Sequence, residues 1–140
     1  MTPRRVVLDT NILVSALLKA GSLPARVLDL VIGGSIILLL DDRILYEYRE
    51  VLRRPKFGFE EELVDELLAT LDRMGEFIPS TPLYLTIRDP GDLPFLEVAV
   101  CGKADALITG NIRDYGQTPP GLKILTVAEF LRELSTKPAD

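Results

Sequence analysis

Ser35 to Leu40 form an almost continuous apolar run, closed off by Gly33-Gly34 before it and Asp41-Asp42 after it. A strand with one wet face alternates apolar and polar residues. A run without alternation suits a strand covered on both faces, as in a parallel sheet between helices. The rest of the chain agrees with that frame. Val6, Val7 and Leu8 read as a first strand ending at Asp9, and helical patterns follow at Ile12 to Leu18 and Ala25 to Ile32. Asp41 and Asp42 can cap a helix running to Arg54, ahead of Pro55. Glu60 to Met74 is amphipathic, with Leu63, Leu67, Leu68 and Leu71 on one face and Gly75 as its stop. A short extended piece at Phe77-Ile78 precedes a Pro-rich loop to Pro90. Asp92 to Gly102 then reads as a helix, and Ala106 to Thr109 and Leu122 to Leu125 as strands. Thr126 and Glu129 form a capping box that opens the last helix. This alternation predicts an α/β fold: a three-layer α/β/α sandwich around a central, mostly parallel sheet. The expected unit is a single domain over 1–135 with a short tail over 136–140.

Composition limits the chemistry. The chain has 140 residues, one cysteine (Cys101) and no histidine. An intrachain disulfide and a Cys/His zinc site are therefore excluded, as is histidine-based acid–base or nucleophilic catalysis. Carboxylates with a hard cation are the obvious remaining choice. The formal net charge of −5 argues against a general electrostatic grip on nucleic acid and leaves room for a local basic surface. No stretch has the length and apolarity of a membrane span. Arg4 and Arg5 ahead of an apolar segment mimic a signal peptide, but Asp9 and Asn11 interrupt it early, so a cytoplasmic protein is expected.

In an open α/β sheet, ligands bind beyond the carboxyl ends of the strands. Asp9 stands at the end of the first strand, and Thr109, Gly110 and Asn111 at the end of a later one, with Asp114 close behind. Each has a plain structural explanation: Asp9 as a helix N-cap, Asn111 as a turn residue. Glu47 borders the apolar arc of Ile44, Leu45, Tyr48, Val51 and Leu52. A carboxylate there either snorkels to water or needs a partner or a metal. Asp92 shares a helical face with Phe95, Leu96 and Ala99. Asp89-Pro90-Gly91-Asp92 also looks like a helix start, with Asp89 as N-cap and Pro90 at the first position.

Taken in order, Val7-Leu8-Asp9-Thr10-Asn11-Ile12, the stretch Leu45 to Phe57 around Glu47, and Arg88-Asp89-Pro90-Gly91-Asp92 resemble the PIN-domain family. So do Thr109-Gly110-Asn111-Ile112-Arg113-Asp114 and the closing segment Leu122 to Phe130. The likeness covers nearly the whole chain, more weakly from Gly58 to Leu85, and is greatest to the VapC-like ribonuclease toxins of toxin–antitoxin pairs. The resemblance implies a metal-dependent endoribonuclease acting on single-stranded RNA, with Mg²⁺ or Mn²⁺ as cofactor, a protein antitoxin as partner and a homodimeric state. It implies Asp9, Glu47 and Asp92 as the core acidic residues. The family often has Asp where this chain has Asn111, so Asn111 or Asp114 would complete the metal site, and one metal or two remain open. Thr10, Asn11 and Thr109 would support the acidic groups by hydrogen bonds. Arg88 and Arg113 flank the expected site as candidates for phosphate contact. Arg43, Arg49, Arg53, Arg54 and Lys56 are either a solvated helix face or a phosphate-guiding rim or antitoxin surface.

Two other readings compete. One is a PIN-like module without catalysis that only binds partners, which Asn111 keeps open. The other is a receiver-type phosphoacceptor domain, since Asp41-Asp42 follows a strand and Thr109 ends one. That fold also needs an Asp at a central strand end and a late Lys. Here Asp89 sits in a Pro-rich loop, and Lys123 begins its strand.

Overall fold

The run at 36–40 lies inside a sheet with a paired strand on either side. In chain order the elements are β1 (Arg4–Leu8), α1 (Thr10–Leu18), α2 (Leu23–Ile32), β2 (Ile36–Leu40), α3 (Asp42–Leu52) and α4 (Glu61–Met74). They continue with β3 (Glu76–Phe77), α5 (Leu93–Cys101), β4 (Ala106–Ile108), β5 (Ile124–Leu125) and α6 (Val127–Ser135), and short 3₁₀ turns lie at Pro55–Phe57, Pro90–Asp92 and Ile112–Tyr115. The computed structural model describes residues 2–85, 87–116 and 118–136, so residues 137–140 of the expected tail lie outside it.

The sheet order is β3-β2-β1-β4-β5, and every pairing is parallel. Helices cover both faces, which makes the three-layer α/β/α sandwich that the alternating pattern predicts. Val6, Val7 and Leu8 of β1 and Leu39 and Leu40 of β2 are each 0% exposed, the outcome required of strands with no wet face. Each buried aliphatic side chain of this size contributes about 1.5–3 kcal/mol. Among the described residues, no single helix is long and apolar enough to cross a membrane.

The topology creates a site. The chain lays β2 and β3 in turn on one side of β1, then crosses to set β4 and β5 on the other. At such a reversal the connections leave β1 and β4 in opposite directions, and a crevice opens at their carboxyl ends. Val6, Val7 and Leu8 stand opposite Ala106, Leu107 and Ile108. The next residues out, Asp9 and Thr109, therefore meet at the mouth of that crevice.

Two expectations change in detail. The third strand is Glu76–Phe77 rather than Phe77-Ile78; both its residues are exposed at the sheet edge, while Ile78 just beyond is buried. On α4 the core face consists of Val64, Leu67, Leu68 and Leu71, and Leu63 is 47% exposed. Leu63 instead lines a surface groove with Leu17, Ile32 and Leu67. Gly75, at the end of α4, admits no side chain, because a Cβ there would run into Leu40 and the backbone oxygen of Leu71.

Candidate active site

Asp9 occupies the N-cap position of α1, yet its side chain makes no capping hydrogen bond. It turns to the neighbouring strand end. Thr109 Oγ1 donates to Asp9 Oδ2 at 2.7 Å and Tyr115 OH donates to the same oxygen at 2.9 Å. Asp9 is 6% exposed, Thr109 and Tyr115 are 0%. Both bonds fall on Oδ2, and among the described residues no side chain bonds Oδ1. Thr109 Oγ1 also accepts from the Asn111 amide at 3.1 Å, which sets the turn leaving β4. Burial beside Asp9 and Asp92 pushes the Tyr115 phenol far above its ordinary range, so this hydroxyl stays a donor.

Helix α3 delivers Glu47. Its start is fixed by Asp41, which accepts from the Ile44 amide at 3.0 Å. Its middle is fixed by Tyr48, whose hydroxyl donates to the Leu8 carbonyl at 2.6 Å and so pins the helix to the end of β1. Glu47, the preceding residue, is half-buried at the crevice, and Thr10 Oγ1 donates to its Oε2. Asp92 enters from the start of α5. Asp89 caps the preceding 3₁₀ turn by accepting from the Gly91 amide at 2.9 Å, whereas the Asp92 side chain caps nothing. Asp114, on the 3₁₀ turn after β4, accepts from Asn111 Nδ2 at 3.0 Å.

Electrostatics tie these groups together. Burial raises the Asp9 carboxyl above its ordinary value, and Asp114 adds to the effect. Burial also raises Glu47, with repulsion from Asp9 and Asp89 behind it. Asp92 is pushed up to about 7, first by burial and then by the charges of Asp9, Asp89, Glu47 and Asp114. Asp92 thus feels every other acid of the set, Glu47 feels Asp9, and Asp9 feels Asp114, which places these charges near one another at a poorly solvated part of the crevice. Even so, among the described residues no three acidic side chains close on a common point tightly enough to grip an ion. The donors are all oxygens, and Asp9, Glu47 and Asp92 are raised first by burial and then by neighbouring carboxylates. An all-oxygen donor set is the kind that a hard divalent cation takes.

The other expected residues divide. Thr10 and Thr109 hold carboxylates. Asn11 does not: its Oδ1 accepts from the Gly110 amide at 3.1 Å, bracing the turn after β4 instead of an acidic group. Arg88 and Arg113 are exposed and form no ion pair among the described residues. Of the basic residues around α3, Arg43 pairs with Asp41 and Glu97, and Arg53 with Asp65.

Two residues here carried no flag in the sequence. Tyr115 looks like an ordinary aromatic of the core. Glu97 is 4% exposed and takes Arg43 Nη1 at 2.7 Å on one oxygen and the Leu83 amide at 2.9 Å on the other. A signal existed for Glu97, since it is the one charge in the apolar run Phe95 to Val100. The features that a receiver domain needs are used otherwise: Asp41 caps α3, and Lys123 pairs with Glu133 at 3.2 Å.

Comparison with known proteins gives the same picture. The uncharacterized protein MJ1680 of Methanocaldococcus jannaschii is 29% identical over 142 aligned positions, covering 92% of this chain and 90% of that protein. Among solved structures, PAE2754 from Pyrobaculum aerophilum superposes with a TM-score of 0.60 at 16% identity, over 96% of this chain and 91% of that one. VapBC2 from Rickettsia felis, solved bound to a DNA fragment from its promoter, gives a TM-score of 0.59 at 19% identity, over 87% and 98%. The family model for the PIN domain matches residues 5–113, a span that contains Asp9, Glu47, Asp92 and Asn111, and the chain belongs to the PIN-domain family.

Proposed function

We propose that this protein is a metal-dependent endoribonuclease that hydrolyses phosphodiester bonds of single-stranded RNA, and that it is the toxin of a toxin–antitoxin pair. The observation that carries the reading is the gathering of Asp9, Glu47, Asp92 and Asp114 at the topological switch point, where burial and the neighbouring carboxylates push Asp92 up to about 7. Such a concentration of negative charge costs stability and is the mark of a site that binds a cation.

Asp9, Glu47 and Asp92 would hold Mg²⁺ or Mn²⁺, completed by Asp114 or by the Asn111 carbonyl oxygen. A bound divalent cation supplies positive charge to the phosphate and makes an attacking water more acidic. The chain does the rest. Thr109 and Tyr115 fix Asp9 through Oδ2. Thr10 fixes Glu47 in the same way. Asn111 orients Asp114, whose carboxylate is less buried than Asp9 and can take a proton from water. Arg88 and Arg113, exposed beside the pocket, are the proposed contacts for the phosphates on either side.

The toxin role, with a protein antitoxin as partner, is supported by the likeness to VapBC2; a second copy of this chain as a further partner is part of the same proposal. A PIN module that binds without cutting remains the second reading, favoured by Asn111 where the family often has Asp. Incubating the purified protein with a labelled single-stranded RNA separates the two. Cleavage is expected with Mg²⁺ or Mn²⁺ and none in excess chelator. Equal cleavage in chelator contradicts the metal role, and no cleavage with either ion contradicts the nuclease.

A further inference from the structure

The stretch after α3 reads Arg53-Arg54-Pro55-Lys56-Phe57-Gly58-Phe59, three cations in four positions of a chain whose formal net charge is −5. Arg53 is spent on Asp65. Among the described residues, Arg54 and Lys56 form no ion pair. Phe57 and Phe59 stack with centroids 5.6 Å apart and planes 13° apart. Phe59 packs on the core, whereas Phe57 lies outside it and is half-buried. One ring is thus an anchor, and the other is presented. The Lys56 ammonium lies over the Phe57 ring, 5.1 Å from its centroid, so a base that stacks there displaces the ammonium from the ring towards a phosphate.

The turn is rigid. Pro55 fixes its first residue, the Gly58 amide returns to the Pro55 carbonyl at 3.1 Å, and Gly58 sits at φ +66°, where any side chain would be strained. It is also close to the acidic pocket. Arg54 stands two residues beyond the end of α3, the helix that carries Glu47, where the backbone turns extended. The Arg54 amide still bonds the Val51 carbonyl at 3.1 Å, and its charge is felt at Glu47.

We propose that the turn from Arg54 to Phe59 is a contact site for single-stranded RNA beside the acidic pocket, with Phe57 stacking a base and Arg54 and Lys56 holding flanking phosphates. This deepens the ribonuclease reading and rests on it for the ligand. A ring backed by a second ring and flanked by cations is how proteins grip single strands without regard to sequence. In a duplex the bases are already stacked and cannot reach Phe57. An acidic peptide would use the cations and have no need of the ring.

The test is fluorescence anisotropy of a labelled single-stranded RNA oligomer with the full chain in chelator, so that binding is read without cleavage. Phe57→Leu keeps apolar volume and removes the π face, and should weaken binding about tenfold. Arg54→Ala should lower the slope of log affinity against log salt by about one phosphate contact. With Mn²⁺ present, Phe57→Leu should raise KM by the same factor as it weakens binding, and thermal melting confirms that the variant folds. Parent-like binding by both variants overturns the proposal even if the parent cleaves RNA. A parent that cleaves nothing but shows these dependences refutes the nuclease and supports the site. Variants that lose a purified protein partner while binding RNA normally also overturn it, because the turn is then a protein surface.

Discussion

At the scale of single residues, the pocket depends on two opposed demands: hold the carboxylates in place, and keep them charged. Thr109 and Tyr115 meet the first by donating to one oxygen of Asp9. Tyr115→Phe removes a buried donor from a carboxylate, which should cost about 1.5–3 kcal/mol in urea unfolding and weaken Mn²⁺ binding by calorimetry. Asp92 shows the second demand. Its folded pKa is about 7 against 3.8 ordinarily, so the folded state binds this proton more tightly than the unfolded one. Stability without metal is then full below about pH 4 and falls as pH rises through 7. The raised values of Asp9 and Glu47 act in the same direction. The metal-free protein should melt lower at pH 8 than at pH 5, and Asp92→Asn should flatten that difference. A melting temperature that rises over this range would contradict it. The acidic residues themselves were legible, because each stands at a strand end or on the border of an apolar stripe. Tyr115 was not, since a buried aromatic reads as core until its hydroxyl partner is seen.

At the scale of elements, the chain announces most of its own order. Strand runs without alternation, capping residues and glycine stops place every helix, and the sheet pairs as those strands require. Leu63 fails because α4 turns its Val64 side to the core, and a helical wheel shows only that a leucine-rich arc exists, not where its centre lies. Glu97 fails for a different reason: its partners are Arg43, far away in sequence, and the backbone of Leu83. That contact fastens the Pro-rich segment to α3 and α5, between the two helices that deliver Glu47 and Asp92. Glu97→Ala leaves Arg43 half in water and the Leu83 amide without its acceptor, a loss of about 2 kcal/mol. The same change should speed chymotrypsin cleavage at Tyr84, which is already 96% exposed. Cleavage at the parent rate would mean that other contacts hold the segment.

At the scale of the whole molecule, the parallel sheet reverses its winding between β1 and β4, and that reversal gathers acids from four separate segments. The proposed homodimer belongs to this scale too. Of the four apolar helix residues that could be shared between core and dimer interface, Ile44, Leu45, Leu63 and Leu67, all but Leu63 are buried in the core, which leaves Leu63 and its groove. Light scattering at micromolar concentration should give twice the chain mass, and a monomer mass would contradict the pairing. The central claim is that Asp9 is a metal-binding residue and not a helix cap, a distinction its unused capping position already favours. The most direct test is the Mn²⁺-induced shift in melting temperature of Asp9→Asn against the parent, with RNA cleavage measured on the same samples. Asn caps a helix nearly as well as Asp, so a structural role predicts the same shift and the same cleavage. The account predicts a metal-free melting temperature held or raised by the lost repulsion, a Mn²⁺ shift largely abolished, and cleavage lost. An unchanged shift with unchanged cleavage would return Asp9 to the role of a cap.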